Sequence, residues 1–434
     1  MHYHLIGIKG SGMASLAEIL VDLGHRVTGS DIERYIFTQK ALEEKHIPIT
    51  SFHKNNIQEH SIVIIGNAFN DDNEEVKQAK EMANVTCYYY HEFLGKLLQD
   101  YTSISVAGTH GKTTTTGLLA HVMGSYLPTA YLIGDGTGKM PKDSKYFVVE
   151  SCEYKRHFLA YKPDYAIITN IELDHVDYFH SMKDYIAAFE EFANQVKKGI
   201  VLFGDDEHVR SLSLQTKHLY YGLEEHNDVQ AVHLSQGEEG MSFDVLYKGE
   251  LFGHFSLPFV GMPLLWNSLA VIAIGIMEGL PYAVLQDGLS SFEGVKRRFH
   301  VEECKEHIYI DDYAHHPTAI ALMIEAARIK YPNRPVFAIF KPDRYSRIYH
   351  FMNDFAKALG KADQVVLCHF PENAIKEEGI DITIEDLRQL CPKAFVVDED
   401  EKGAQAVAEL GNGVYLFMSS KDIYKFKNIV KNFH

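Results

Sequence analysis

A β-branched run, Tyr101 to Val106, breaks at Gly108-Thr109-His110-Gly111 and passes into Lys112, four threonines and the helical pattern Gly117–Met123. Strand, glycine loop, lysine and helix in this order read as one unit of an α/β layer and make a phosphate cradle. Backbone N–H groups of the loop and of the helix N-terminus point at anionic oxygens, and the lysine neutralises them. A hydroxyl directly after the lysine, here Thr113, is placed to hold the Mg²⁺ that accompanies a nucleotide triphosphate, with Thr114 beside it. The loop reads Gly-x-x-Gly-Lys-Thr, two residues shorter than the usual Gly-x-x-x-x-Gly-Lys-[Ser/Thr]. A plain glycine turn before a helix is the ordinary alternative.

The chain has 434 residues, too many for one ordinary core, so two or three domains are expected. With 46% hydrophobic and 23% charged residues it has a soluble, globular composition. A net charge of −17 disfavours nucleic acid or an anionic membrane as partner, so any anionic ligand must be held by local cations. Five scattered cysteines without Cys-x-x-Cys spacing point to free thiols rather than a disulfide or zinc framework. The opening Met1–Ile6 lacks the pattern of a secretory leader, and no apolar run reaches membrane-spanning length. A cytoplasmic location is expected.

Strand-like and helix-like runs alternate along the chain. His4–Ile8, His25–Thr28 and Ile62–Ile65 read as strands, and Met13–Leu23 and Phe37–Lys45 as helices. Further buried strands are expected at Phe147–Glu150 and Ala166–Asn170, then a helix at Met182–Val196, glycine-punctuated β patterns over 217–260 and a helix over 266–279. From about residue 300 the alternation restarts, with strands at His307–Ile310, Val336–Phe340, Gln364–Leu367 and Val414–Met418. Helices at Thr318–Lys330, Tyr349–Leu359 and Gly403–Leu410 and a terminal helix separate or follow them. Strands interleaved with helices predict parallel sheets, so the expectation is three α/β domains: 1–98, 99–298 and 299–434.

A second glycine cluster, Gly7-Ile8-Lys9-Gly10-Ser11-Gly12-Met13, lies between the first strand and its helix, where a doubly wound fold binds a diphosphate. Asp31 ends the second strand, where a carboxylate can bind a sugar hydroxyl. A dehydrogenase is the rival reading, but it leaves the Gly108 loop unexplained, and a structural turn is the other. Two phosphate loops suit a ligase that joins ATP chemistry to a nucleotide-carried substrate.

These residues, together with Glu150, Asn170-Ile171-Glu172-Leu173-Asp174-His175, Gly294–Phe299 and Asp311-Asp312-Tyr313-Ala314-His315-His316-Pro317, resemble the Mur ligases in family order. The shortened Gly-Thr-His-Gly-Lys-Thr loop is itself a family trait. The resemblance implies a Rossmann-like UDP-sugar domain, a central P-loop ATPase-type domain and a Rossmann-like C-terminal amino-acid domain. It also implies ATP- and Mg²⁺-dependent amide-bond formation in peptidoglycan synthesis, and the motif set is most like the branch that joins UDP-N-acetylmuramate to L-alanine. In its terms Gly7, Gly10, Ser11, Gly12 and Asp31 bind the UDP-sugar. Gly108, Thr109, His110, Gly111, Lys112, Thr113, Thr114, Asn267, Arg298 and Asp312 bind ATP. Thr113, Glu150 and His175 serve Mg²⁺, with Glu153 as a neighbour. Lys112, Glu150, His175, Arg344 and Arg347 carry the chemistry, the two arginines facing the substrate carboxylate and acyl phosphate, and Arg297, His315 and His316 stand on the substrate side.

Three places depart from the pattern. Pro263-Leu264 stand where the family carries His-Asn, before Asn267. Asp343 stands where it carries a histidine, and Ser419-Ser420-Lys421 replace a Gly-Ala-Gly turn. Glycine reaches left-handed backbone positions that Ser and Lys avoid, so a reshaped amino-acid loop is expected. A paralogous ligase for another amine, and a non-catalytic nucleotide-binding regulator, are the alternatives.

Overall fold

The structure, a computed structural model, describes every residue except 373, 375 and 378. Among the described residues three sheets divide the chain. In the first, five parallel strands stand in the order Ile49–Thr50, Arg26–Ser30, His2–Ile6, Ile62–Ile65 and Thr86–Tyr89. In the second, ten strands include a parallel block that contains Thr102–Ala107, flanked by Tyr165–Ile168 and Tyr146–Glu150. The hairpins Val229–Gly237, Gly240–Tyr247 and Glu250–Leu257 extend it antiparallel. The third has six strands around Val414–Met418, which pairs in parallel with His307–Asp312 and Val336–Phe340. The central strands are apolar along their length because helices cover both faces. Ile104, Val106, Ile339 and Leu416, for example, have no exposed surface.

Element ends differ from expectation where glycine or proline decides them. The first strand stops at Ile6, not Ile8, because Gly7 takes φ +80° and turns the chain. The helix expected from 266 begins at Met262, since Pro263 sits in its first turn, where a missing N–H costs nothing. The helix expected from Tyr349 begins at Tyr345. The strand Gly199–Phe203 was not anticipated; a short apolar run next to a helix does not announce its own period.

The first domain seats on the second through the helix Ser11–Asp22, which lies against the short strand Thr137–Lys139. A Cβ on Gly138 would come 2.1 Å from the Ser15 carbonyl oxygen, and Met140 donates its N–H to Asp22 Oδ2 at 3.0 Å. Gly138→Ala is expected to loosen this seam by about 1–3 kcal/mol, the usual cost of overpacking against backbone, read as a lower melting temperature.

A polar chain crosses the same boundary. His91 and His157 stack at 4.4 Å, and Asn67 sits 2.8 Å from His91 Nδ1 and 3.1 Å from His157 Nδ1. Burial, then the charge of His91, holds the His157 imidazole down at about 4, against an ordinary value of 6.5. The unfolded chain therefore takes up a proton below 6.5 that the folded one refuses, and stability falls as pH drops from there toward 4. Denaturant midpoints are expected to decline over that window and to decline less in His157→Phe, which keeps the ring and loses the titration.

Candidate active site

The N-terminal glycine loop is shaped for a close approach. Gly7 has φ +80°, and a Cβ there would strike the Phe69 ring at 2.1 Å. Gly10 caps the helix Ser11–Asp22, with Gly10 exposed and Ser11 and Gly12 half-buried at its N-terminus. Asp31 is buried; its carboxylate accepts the N–H of Lys9 at 2.7 Å and of Ile32 at 2.8 Å, so it braces the loop from behind. Ser15 of the same helix donates to the Ile133 carbonyl across the domain boundary at 3.3 Å.

The Gly108 loop connects Thr102–Ala107 to the helix Lys112–Gly124. Gly108 has φ +132°, and a Cβ would meet Thr169 Oγ1 at 2.0 Å; Gly111 has φ +83° and faces the Asn267 side-chain oxygen. Both conditions demand glycine. Asn267 is buried on the helix Met262–Glu278 and underlies the loop. Asn170 accepts the His110 N–H at 2.8 Å, and the Thr109 hydroxyl donates to the Glu172 carbonyl at 2.8 Å. Thr114 is half-buried in the first helical turn. Lys112 Nζ donates to the carbonyls of Gly108 and Thr109 and to Glu153, 2.9 Å from Oε2. Glu153 is 1% exposed; burial pushes its carboxyl up, yet the Lys112 charge and the His175 hydrogen bond outweigh this and hold it at about 2.

Glu150 ends the strand beside the phosphate strand and accepts the Gly134 N–H at 2.8 Å. His175, at φ +52°, has Nε2 3.4 Å from Glu153 Oε1 and a buried Nδ1 without a hydrogen-bond partner among the described residues. Thr113, Glu150 and His175 all follow carboxyl ends of parallel strands or open the phosphate helix, where ligands of such sheets collect. Two oxygen donors and an orphaned imidazole nitrogen are a donor set that fits Mg²⁺ beside a nucleotide.

The third sheet turns its carboxyl edge toward the second. Arg298 Nη2 donates to Thr113 Oγ1 at 2.9 Å, with its guanidinium 4.5 Å over the Tyr313 ring. Arg297 holds the carbonyls of Ser419 (2.8 Å) and Lys421 (2.6 Å). Arg344 reaches Asp177 at 3.0 Å. Arg347, 4% exposed, grips both oxygens of Asp343 at 2.6 Å and Asp174 at 2.9 Å. Burial is opposed by this guanidinium, which keeps the Asp174 carboxyl well below its ordinary range. His316 lies against His110 and Glu172, and His315 Nδ1 is 2.9 Å from the Tyr313 carbonyl. Asp312 is buried and accepts the N–H groups of Phe299 and Ala314, at 2.8 and 2.7 Å.

The residues expected around ATP and metal thus converge from two domains, while the Gly7 loop stands at the strand ends of a third. The turn 419–421 needs no glycine: none of its residues has a positive φ, and Ser419 bridges the Lys341 carbonyl and the Lys421 N–H at 2.8 and 3.0 Å. The sequence reading passed over Asp174, Asp177 and Thr318 as ion-pair or hydrogen-bond partners. The run Asp174-His175-Val176-Asp177 offered a signal, two carboxylates three apart after a strand end. Their arginine partners lie more than a hundred residues away and become neighbours only through domain packing.

Comparison with known proteins bears on this arrangement. The Mur ligase family catalytic-domain model matches residues 2–102, the middle-domain model 106–275 and the glutamate ligase domain model 297–421. The solved UDP-N-acetylmuramate-alanine ligase MurC of Thermotoga maritima is 26% identical, with TM-score 0.82, over 100% of this chain and 99% of that one. The murein peptide ligase of Psychrobacter arcticus is 23% identical with TM-score 0.72, over 100% and 98%. A Neisseria UDP-N-acetylmuramate:L-alanyl-gamma-D-glutamyl-meso-diaminopimelate ligase is 28% identical with TM-score 0.62, covering 68% of this chain and 99% of that one. With three domain models spanning the chain in order and a full-length structural match, this chain belongs to the Mur ligase family.

Proposed function

We propose that the chain is an ATP- and Mg²⁺-dependent ligase that joins the lactyl carboxylate of UDP-N-acetylmuramate to L-alanine in peptidoglycan precursor synthesis. The observation that carries the reading is the meeting of two sheet edges, one bearing the phosphate loop and the other Arg344 and Arg347.

A carboxylate and an amine do not condense unaided in water, because the leaving oxygen is poor. Transfer of the γ-phosphoryl group from ATP to the carboxylate gives an acyl phosphate and ADP. The amine then attacks the carbonyl carbon, and inorganic phosphate departs. Such transfer depends on positioning and charge neutralisation. Lys112 is placed to offset charge on the β- and γ-oxygens, and the loop N–H groups orient them. Thr113, Glu150 and His175 would hold Mg²⁺, whose charge would add to that neutralisation. Arg344 and Arg347 would exchange an aspartate for the substrate carboxylate and the acyl phosphate. The Gly7 loop and the N-terminus of its helix would hold the UDP diphosphate. Phosphate release is to be measured with ATP, Mg²⁺, UDP-N-acetylmuramate and a panel of amines; no release with any amine sinks the ligase reading.

A second reading, addition of a peptide rather than alanine, has one observation in its favour. A cavity of about 400 Å³ at the carboxyl edge of the third sheet is lined by charged groups, among them Arg34, Lys341, Glu399 and Asp422. That lining could seat the zwitterionic end of a longer amine, and the same panel decides: a peptide amine that outruns alanine favours it. Nucleotide binding without turnover would instead indicate a regulator.

A further inference from the structure

The phosphate loop and the C-terminal domain meet in a cluster of side chains to which the proposed phosphoryl and acyl transfer assigns no step. His110 Nε2 lies 2.8 Å from Glu172 Oε2, and His316 Nδ1 lies 3.6 Å from the same oxygen. One donor atom from each residue falls within 4.8 Å of the other two. A tetrahedral Zn²⁺ with bonds of about 2.0 Å sets its donors about 3.3 Å apart, so the two measured separations bracket the spacing required. An ordinary hydrogen bond explains His110 and Glu172, but not His316. That ring is 2% exposed, and among the described residues neither nitrogen has a hydrogen-bond partner, which is costly for a polar group.

The support around the cluster fits a ligand set. Thr318 donates its hydroxyl to Glu172 Oε1 at 2.6 Å, which fixes the carboxylate and leaves Oε2 directed at the imidazoles. The Glu172 N–H and carbonyl are both tied to the Thr109 hydroxyl, so the carboxylate moves with the phosphate loop. Two imidazoles and one carboxylate suit a borderline transition ion rather than Mg²⁺, which prefers oxygen. The set is separate from Thr113, Glu150 and His175.

We propose that His110, Glu172 and His316 form a binding site for a divalent transition cation of the Zn²⁺ class, which clamps the central domain to the C-terminal domain. Two ligands come from the former and one from the latter, so an ion bound by all three favours the docked arrangement. A fourth position remains for water or, given that His110 belongs to the phosphate loop, a phosphate oxygen.

The test uses the full chain, stripped of metal and held in saturating Mg²⁺, titrated with CoCl₂ and followed by visible d–d absorption. One Co²⁺ per chain, displaced by ZnCl₂, is expected. Glu172→Gln and His316→Gln are expected to weaken binding by roughly 100-fold. Thr318→Val, which removes no ligand, is expected to weaken it by roughly 10-fold, the scale typical of an orienting partner. Thr318→Val decides the matter if a ligand variant melts early in metal-free buffer. Absence of the band, or undiminished affinity in Thr318→Val and in every folded ligand variant, overturns the proposal.

Discussion

Lys112→Met is expected to lower ATP-dependent turnover by roughly 10³-fold or more, the scale seen when a phosphoryl-transfer site loses a cation, and to destabilise the fold as well. The second effect follows from Glu153. It is 1% exposed, and Lys112 is its closest cationic partner, at 2.9 Å. Removing one member of a buried pair leaves the other charged in a poor solvent, at a cost of about 3–5 kcal/mol. The double variant Lys112→Met/Glu153→Gln is expected to regain most of the stability and none of the turnover. Melting curves and phosphate release on the three proteins separate the two roles. Recovery of turnover in the double variant would show that Lys112 acts only by holding Glu153.

Arg347→Met is the other large effect. One guanidinium holds two buried carboxylates, Asp343 of its own domain and Asp174 of the central domain. Its loss takes from both carboxylates the guanidinium they share, again at about 3–5 kcal/mol, and with the link to Asp174 gone the C-terminal domain is expected to undock. Small-angle scattering should show a larger radius of gyration, and turnover should fall by roughly 10²–10³-fold. Arg347→Lys is expected to behave much the same, because an ammonium cannot present two paired N–H edges to two carboxylates. A compact Arg347→Met protein would contradict this account of docking.

Arg347 also shows where sequence reading stops. Its position after the strand Val336–Phe340 marks it as a ligand-edge residue, and the structure places it at that edge. Nothing in the sequence tells that its guanidinium is shared between Asp343 and Asp174. Asp343 stands where the family carries a histidine, yet it is a buried partner of Arg347, which the extended N-cap Arg344 and the first turn of the following helix bring back to it. The turn 419–421 is similar: loss of glycine suggested distortion, and side-chain hydrogen bonds from Ser419 hold an ordinary backbone instead.

By itself the sequence determined the local chemistry of this protein. Glycines set turns where φ is positive, apolar runs set strands, and the order strand–loop–lysine–helix set a phosphate cradle, because each depends on residues within a few positions of one another. Tertiary structure alone decided which charges meet. The pairs Arg347–Asp174, Arg344–Asp177 and His316–Glu172 join residues of two domains. Coulomb and hydrogen-bond energies depend on distance in space, and a separation of more than a hundred residues along the chain carries no information about that distance until the sheets have packed.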